Sequence, residues 1–548
     1  RKPTEAHDIT IDPVVRACYV EVARPDMADP TGDLQRLFEA LRGEWQLDGL
    51  TMPLEVLQSL QPALRRGDWR VTVAVREECE VVAVWPGFRD RLIGAAVDVG
   101  STTIAVQLCD LVSGEVLASA GRMNPQIRFG EDLMSRVSYV MMNPGGEREL
   151  TRAVRSAIGE LVAGAAASAG VTADDIVEMT VVGNPVMHHL LLGLSPVELG
   201  TAPFALASDA AASLPAVALE LDLHPGARVY ALPCIAGHVG ADAAAVLLAE
   251  APWERDELTL IVDVGTNAEL ILGNRHRLLA ASSPTGPAFE GAQVSCGQRA
   301  APGAIERVRI DRDTLEPRFK VIGCDLWSDE PGFSEGLPRA GVTGVCGSGI
   351  IETIAEMFLA GLILPDGTIP AAMAERTQRI VAEDRTFAYV LHAGPPELRI
   401  RQEDVRAIQL AKAALYAGAR LLMARFGADR LSRIRLAGAF GSHIDVKYAM
   451  VLGMIPDAPL AQVSSAGNAA GTGARIALLD RSSRAKIEAR VRQVEKVETA
   501  IEPDFQRLFV EAMALPHRSD EFVELARVVD LPSPAAAARG GGRRRGRR

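Results

Sequence analysis

One short pattern occurs twice, and it constrains the fold more than any other feature. Val97-Asp98-Val99-Gly100-Ser101-Thr102-Thr103 recurs as Val262-Asp263-Val264-Gly265-Thr266-Asn267, 165 residues further on. That offset is too long for a solenoid repeat and suits two similar domains. Each copy follows a run of apolar residues, as a buried central strand does. The chain has 548 residues, which at roughly 150 residues per domain allows about three or four domains.

The chemistry of the repeat points to phosphate. A strand delivers an Asp at its end, and Gly permits a tight reversal with close backbone approach. The Ser, Thr and Asn residues and the turn N–H groups then offer hydrogen bonds to phosphate oxygens. A carboxylate beside phosphates repels them unless a divalent cation lies between. Asp98 and Asp263 therefore imply Mg²⁺, held through water because Mg²⁺ dehydrates reluctantly. Two such hairpins would grip a triphosphate from both sides. The phosphate contacts expected are Gly100, Ser101, Thr102 and Thr103 in the first copy, and Gly265, Thr266 and Asn267 in the second. Glu269 is a candidate for orienting water or metal, with a plain strand position as the alternative.

Rival nucleotide motifs are absent. No Lys follows a Gly, which excludes a Walker A loop, and Gly347-Ser348-Gly349 has Glu352 where a dinucleotide fingerprint needs its third Gly. A third element, Ile434-Arg435-Leu436 running into Gly438-Ala439-Phe440-Gly441, reads as a strand entering a turn whose small residues let an adenine ring lie against the backbone.

Around these motifs the chain alternates strands with Ala-rich helices. Strands are expected at Ile93–Val97, Ile176–Val182, Leu258–Val262 and Ile434–Leu436, and helices at Glu147–Ala169 and Val405–Phe426. This is the texture of an α/β architecture. Residues 9–88 read differently, as a small α+β unit. A strand-rich stretch lies in Ile9–Val22. A helix starts after Asp29-Pro30-Thr31, with Leu34, Leu37, Phe38 and Leu41 at helical spacing, and a second runs from Leu54 to Leu64. A hairpin follows, from Trp69–Val75 to Val81–Val84. From Pro532 the residues are only Pro, Ser, Ala, Gly and Arg, and disorder is expected. The expected partition is 1–91, 92–257, 258–530 and 531–548.

Charge and cysteine content exclude several classes. The net charge is −12, but six of the last ten residues are Arg, and without them 52 basic residues face 70 acidic ones. So acidic a body argues against a nucleic-acid partner. No apolar run approaches the length of a membrane span. The N-terminal Arg1-Lys2-Pro3-Thr4-Glu5 lacks the apolar stretch of a secretory signal. Seven scattered Cys without a C-x-x-C pair fit reduced cytoplasmic thiols. Cys296 and Cys346 read as buried structural thiols, with a shared cluster as the alternative. His188 and His189 are adjacent and cannot form an i, i+4 metal pair. Met141 and Met142 are expected in the core. Asn184 reads as a helix N-cap with Pro185 at the first helical position, with a cleft-facing role as the alternative.

The three elements, in this order, resemble the phosphate-1, phosphate-2 and adenosine motifs of the acetate and sugar kinase, heat-shock ATPase and actin superfamily. That resemblance implies duplicated ribonuclease-H-like lobes, here preceded by the small α+β domain, with ATP in a cleft. Further stretches narrow it: Asn124-Pro125-Gln126 with Gly130-Glu131-Asp132; Gly183-Asn184-Pro185-Val186-Met187; Pro284-Thr285-Gly286-Pro287-Ala288-Phe289-Glu290-Gly291-Ala292; Gly344-Val345-Cys346-Gly347-Ser348-Gly349; and Gly467-Asn468-Ala469-Ala470-Gly471. Together they resemble the reductive activators of corrinoid proteins. The resemblance implies ATP and Mg²⁺ as cofactors and a corrinoid protein of a methyltransferase system as partner. The activity implied is return of inactive Co(II) to Co(I), and a homodimer is plausible. Gly347 and Ser348 join the candidate nucleotide contacts. The family begins with a ferredoxin-like domain whose [2Fe–2S] cluster needs four closely spaced Cys. This chain has no such ligands, so the electron donor is expected to be separate or removed. Two other classes stay open: a small-molecule kinase using Asp132 or Asp242 as base, and a nucleotide-gated scaffold without turnover.

Overall fold

In the computed structural model the described residues are 9–265, 267–441 and 444–532. They form two compact units. One comprises residues 9–251 together with Ala469–Val494; the other comprises Pro252–Asn468 and the residues after 494.

The first unit begins with the small α+β domain. Its strands β1 (Val15–Glu21), β2 (Arg70–Arg76) and β3 (Glu80–Pro86) form an antiparallel sheet. Helices Asp33–Trp45 and Leu54–Arg66 pack on it, burying Leu37, Leu41, Leu60 and Leu64. These are the helical-spacing positions and the hairpin expected from the sequence.

The first lobe follows. Strands β4 (Ile93–Val99), β5 (Thr103–Asp110) and β6 (Val116–Met123) make an antiparallel meander. Strand β7 (Ile176–Gly183) lies parallel to β4 on its other side; β8 (Ala212–Pro215) and β9 (Arg228–Ala231) complete the order β6-β5-β4-β7-β9-β8. Strand β7 is buried along its whole length, as a central strand covered on both faces must be.

The second unit repeats the plan. Strands β10 (Thr259–Val264), β11 (Ala268–Gly273) and β12 (Leu278–Ser283) form the meander. Between Ser283 and Arg433 the chain leaves the sheet for about a hundred and fifty residues. In that stretch β13 (Ala304–Ile310), β14 (Pro317–Val321) and β15 (Gly344–Val345) form one small sheet, and β16 (Ile380–Glu383), β17 (Thr386–His392) and β18 (Leu398–Arg401) another. The chain returns as β19 (Arg433–Ala437) and β20 (Val463–Gly467), with β21 (Val494–Lys496) at the far edge, in the order β20-β19-β10-β11-β12-β21. In both sheets a three-stranded meander is extended by two parallel strands from its first member. That shared order gives the two similar domains expected from the repeat and the duplicated ribonuclease-H-like lobes that the resemblance implied.

The long helix Gln402–Phe426 covers the second sheet. A Cβ at Gly418 would come 2.3 Å from Ser283 Oγ, so only glycine permits this approach. No helix among the described residues is long and apolar enough to cross a membrane. Met141 and Met142 correct the core expectation: they are 58% and 73% exposed. Their helix, Leu133–Met142, buries Val137 and Val140 instead, three apart on one face, which leaves Met141 and Met142 outside it. The expected disorder from Pro532 concerns residues that, from 533 onward, lie outside the described ones.

Candidate functional site

Each sheet presents its repeat in the same way. In β4 and in β10 every residue is buried except the Asp, which is half-buried. Asp98 and Asp263 thus stand at the carboxyl ends of central strands, where open α/β sheets bind ligands.

The two turns differ by one residue. Gly100 N–H donates to Thr103 O at 3.0 Å, whereas Gly265 N–H donates to Asn267 O at 3.0 Å. The longer first turn puts Ala105 opposite Asp98, and the shorter second turn puts Glu269 opposite Asp263. Asp263 and Glu269 are therefore direct cross-strand partners, both half-buried. A Cβ at Gly100 would lie 2.7 Å from Thr103 O, which explains the glycine there.

The first turn is held from behind by residues to which sequence reasoning gave no role. Asn124 N–H donates to Thr102 O at 2.8 Å, and its Nδ2 donates to Gly100 O at 2.9 Å. Arg136 is fully buried and donates to Ser101 O, to Gly130 O at 3.0 Å and to Gln126 Oε1 at 3.3 Å. Burial brings its pKa down to about 10, so it remains a cation at neutral pH. Asn124 and Gln126 belong to a stretch quoted for the family resemblance; nothing in the sequence singled out Arg136.

Next to β4, the end of β7 leads into Asn184. Its Oδ1 accepts from Met187 N–H at 3.0 Å and Pro185 follows at the first helical position, so it is the N-cap expected. A Cβ at Gly240 would strike Asn184 Cα at 2.6 Å and Asp242 Oδ1 at 2.7 Å. Asp242 thus lies by the same strand end, early in the helix Ala241–Glu250, and burial raises its pKa to about 6. Asp132 is engaged as the N-cap of its own helix, accepting from Ser135 N–H at 2.7 Å.

In the second unit the structure brings Asp263, Gly438 and Gly467 to adjacent strand ends. Asp263 pairs in register with Ala437, and Ala437 with Gly467. Gly438 and Gly467 both have positive φ, +83° and +65°, so each strand turns sharply there. Gly438–Gly441 forms a single helical turn; only the backbone of Ala439 is described, and Thr266 lies outside the described residues. Gly347 and Ser348 open the helix Gly347–Leu359. Ser348 is buried, with its Oγ against Glu306 O and Cys346 Sγ. This helix packs by the Pro287–Glu290 turn, where a Cβ at Gly291 would touch Ile350 Cδ1 at 3.4 Å.

Cysteines do not converge. All seven are free, and five are buried. Burial and the Asp404 carboxylate push Cys296 up to about 12, and Cys346 Sγ donates to Ile305 O, as structural thiols do. Among the described residues no three potential ligands gather into a metal site. His189 is structural: its Nδ1 meets Pro185 O at 2.9 Å and its Nε2 accepts from Ala207 N–H at 2.9 Å.

Comparison with known proteins fits these geometries. Residues 4–91 match the RACo linker region, 93–251 the RACo middle region, and 257–526 the C-terminal domain of RACo, the ASKHA domain. The corrinoid activation enzyme RamQ of Eubacterium limosum is 34% identical over 432 residues, covering 76% of this chain and 70% of RamQ. The chain belongs to the RACo family. A second relative of this RACo-family chain is the [Co(II) methylated amine-specific corrinoid protein] reductase of Methanosarcina barkeri. It is 29% identical over 241 residues, covering 41% of this chain and 39% of the reductase. The solved structure of a reductive activator for corrinoid, iron-sulfur protein superposes with a TM-score of 0.82 at 33% identity. It covers 93% of this chain and 80% of its own. RACo membership and the actin-like ASKHA architecture are thus shown.

Proposed function

We propose that this chain is an ATP-dependent activator that returns a corrinoid protein from Co(II) to Co(I), the state that accepts methyl groups. The observation that carries the reading is the duplicated Asp–Gly turn at equivalent strand ends, in a chain of the RACo family. RamQ and the methylated-amine reductase, named for corrinoid activation and Co(II) reduction, support it.

In this reading Ser101, Thr102 and Thr103 donate to phosphate oxygens, while Gly100, whose N–H closes the turn on Thr103 O, lets the phosphate approach the backbone; Asn124 and Arg136 hold the turn's carbonyls. Thr266 and Asn267 do the same in the second unit, where Gly265 closes its own turn on Asn267 O. Gly438, Ala439 and Gly441 take the adenosine. Asp98 and Asp263 fit a water-held Mg²⁺, which when bound neutralises phosphate charge. Glu269, opposite Asp263, orients the attacking water.

Reducing Co(II) to Co(I) consumes one electron, and ATP supplies none. The nucleotide contributes only by favouring one state of the complex over another. The donor is a ferredoxin-like [2Fe–2S] protein or domain. The seven cysteines here, dispersed and mostly buried, do not fit its ligand set, so no electron-transfer step is assigned to them.

ATP hydrolysis with and without a Co(II) corrinoid protein, in the wild type and in Asp98→Ala, tests the proposal. Partner-stimulated hydrolysis that the variant loses is expected. Hydrolysis indifferent to both changes overturns it.

A further inference from the structure

Hydrolysis of ATP takes a proton from the attacking water, and a base must receive it. The first unit holds a candidate at the carboxyl end of β7.

The sheet register puts that candidate on the same face as Asp98. Asp98 pairs with Val182 and Val99 with Gly183, so Asn184 is the first residue past the strand. Paired residues on neighbouring strands share a face, and so do residues two apart on one strand. Asp98, Val182 and Thr180 therefore share one face. Thr180 Oγ1 donates to Ala474 O at 2.7 Å, so the helix Ala469–Leu479 covers that face, and Ala241–Glu250 packs against it there. Asp242 stands in the first turn of Ala241–Glu250. That turn touches the strand end: a Cβ at Gly240 would lie 2.6 Å from Asn184 Cα, 2.7 Å from Gly183 O and 2.7 Å from Asp242 Oδ1.

Both side chains keep unused hydrogen-bonding capacity. Asn184 is only 8% exposed. Its Oδ1 accepts from Met187 N–H at 3.0 Å, which fixes the amide's orientation and leaves Nδ2 as the free end. Nδ2 has no partner among the described residues, yet it is not sealed from solvent. A buried amide seldom leaves its donor idle. Asp242 is half-buried. Among the described residues its carboxylate is met only by backbone N–H groups of its own turn, with Ala243 N–H on Oδ1 at 2.8 Å. No cation neutralises it, and burial raises its pKa to about 6, close to where a general base works best. A free donor beside a free acceptor suits one water molecule, which can accept from the amide and donate to the carboxylate.

We infer that Asp242 is the general base of ATP hydrolysis and that Asn184 is a positioning residue for the same water. This rests on the ATPase reading. The water oxygen bonds to the γ-phosphorus, and the bond from that phosphorus to the bridging oxygen breaks. ADP leaves with the electron pair. One water proton passes to Asp242 and on to solvent, and the other stays on inorganic phosphate.

Turnover and ATP affinity of the full chain, with the corrinoid protein present, test this. Asp242→Asn keeps the shape and removes the base. Its kcat should fall about a hundredfold or more, with ATP affinity within about threefold of the wild type and an intact thermal melt. Asn184→Ser keeps a capping hydroxyl and removes the amide donor; kcat should fall about tenfold or more, again without loss of affinity. A fall of less than about tenfold in Asp242→Asn, or a fall matched by weaker ATP binding, overturns the inference and leaves the ATPase reading standing. A wild type that binds ATP without hydrolysing it overturns both.

Discussion

Gly438 stands against Asp263: a Cβ at position 438 would come 2.5 Å from Asp263 Oδ1 and 2.8 Å from Val264 O. The glycine of the expected adenosine motif thus fixes where the carboxylate of the second phosphate motif can be. Gly438→Ala must either displace that carboxylate or move the strand end, and its φ of +83° adds backbone strain. The expected outcome is a loss of stability on the order of 1–3 kcal/mol, with ATP affinity weakened about tenfold. Equilibrium dialysis with labelled nucleotide, beside a thermal melt, separates the two effects.

Arg136 predicts a similar dissociation in the first unit. Replacing it by Met keeps much of the buried volume but leaves Ser101 O and Gly130 O without their donor. Each orphaned carbonyl costs about 1–3 kcal/mol. The turn should loosen, so hydrogen exchange at residues 100–103 should rise well above that of the neighbouring strand. An unchanged exchange rate there would count against a supporting role for Arg136.

Glu178 is a third test, of architecture rather than chemistry. It is completely buried on β7 and pairs with Arg76 of β2 at 3.0 Å and with Arg484 of the helix Arg481–Val491 at 2.8 Å. One carboxylate thereby ties three distant stretches of chain. Glu178→Gln leaves the buried Arg484 guanidinium without a carboxylate partner and Arg76 with only the half-exposed Glu77 at 3.1 Å, and a loss of about 3–5 kcal/mol is expected. Chemical denaturation followed by circular dichroism reads it.

The acid side of the stability curve has two opposed contributors. His188 is buried with neither ring nitrogen hydrogen-bonded, and burial, with His189 beside it, lowers its pKa from 6.5 to about 4. The unfolded chain therefore binds the proton first. Stability is full above pH 6.5 and falls toward pH 4, by about 2–3 kcal/mol. Asp242 acts the other way: its pKa is raised from 3.8 to about 6, so stability falls as pH rises through that window. His188→Leu should flatten the loss on acidification, and Asp242→Asn should raise stability above pH 6. Melting temperatures from pH 4 to 8 give both slopes.

The repeat made the lobes legible, because a buried strand ending in Asp–Gly has few other uses. The hairpin and helices of residues 9–88 were legible for the same reason, since their apolar spacing is regular. The one-residue difference between the turns was not, and so the pairing of Asp263 with Glu269 was invisible; register depends on how the strands close. Arg136 left no local trace, because its role lies in carbonyls 6 and 35 residues away. Met141 and Met142 misled because apolar residues crowd that helix on more than one face. The two small sheets between β12 and β19 went unread because short strands there lack sustained alternation.

The return of Ala469–Val494 to the first unit was equally hidden, and it has a temporal side. The helix Ala469–Leu479 sits so close to Ala241–Glu250 that a Cβ at Gly473 would lie 2.0 Å from Ala245 O, and Thr180 Oγ1 donates to Ala474 O at 2.7 Å. During synthesis the ribosome must pass more than two hundred residues beyond Ala251 before this piece emerges. The first unit is therefore begun early and closed late, after most of the second has left the exit tunnel. Until then, the small-residue face on Ala241–Glu250 lacks the helix that covers it in the folded protein.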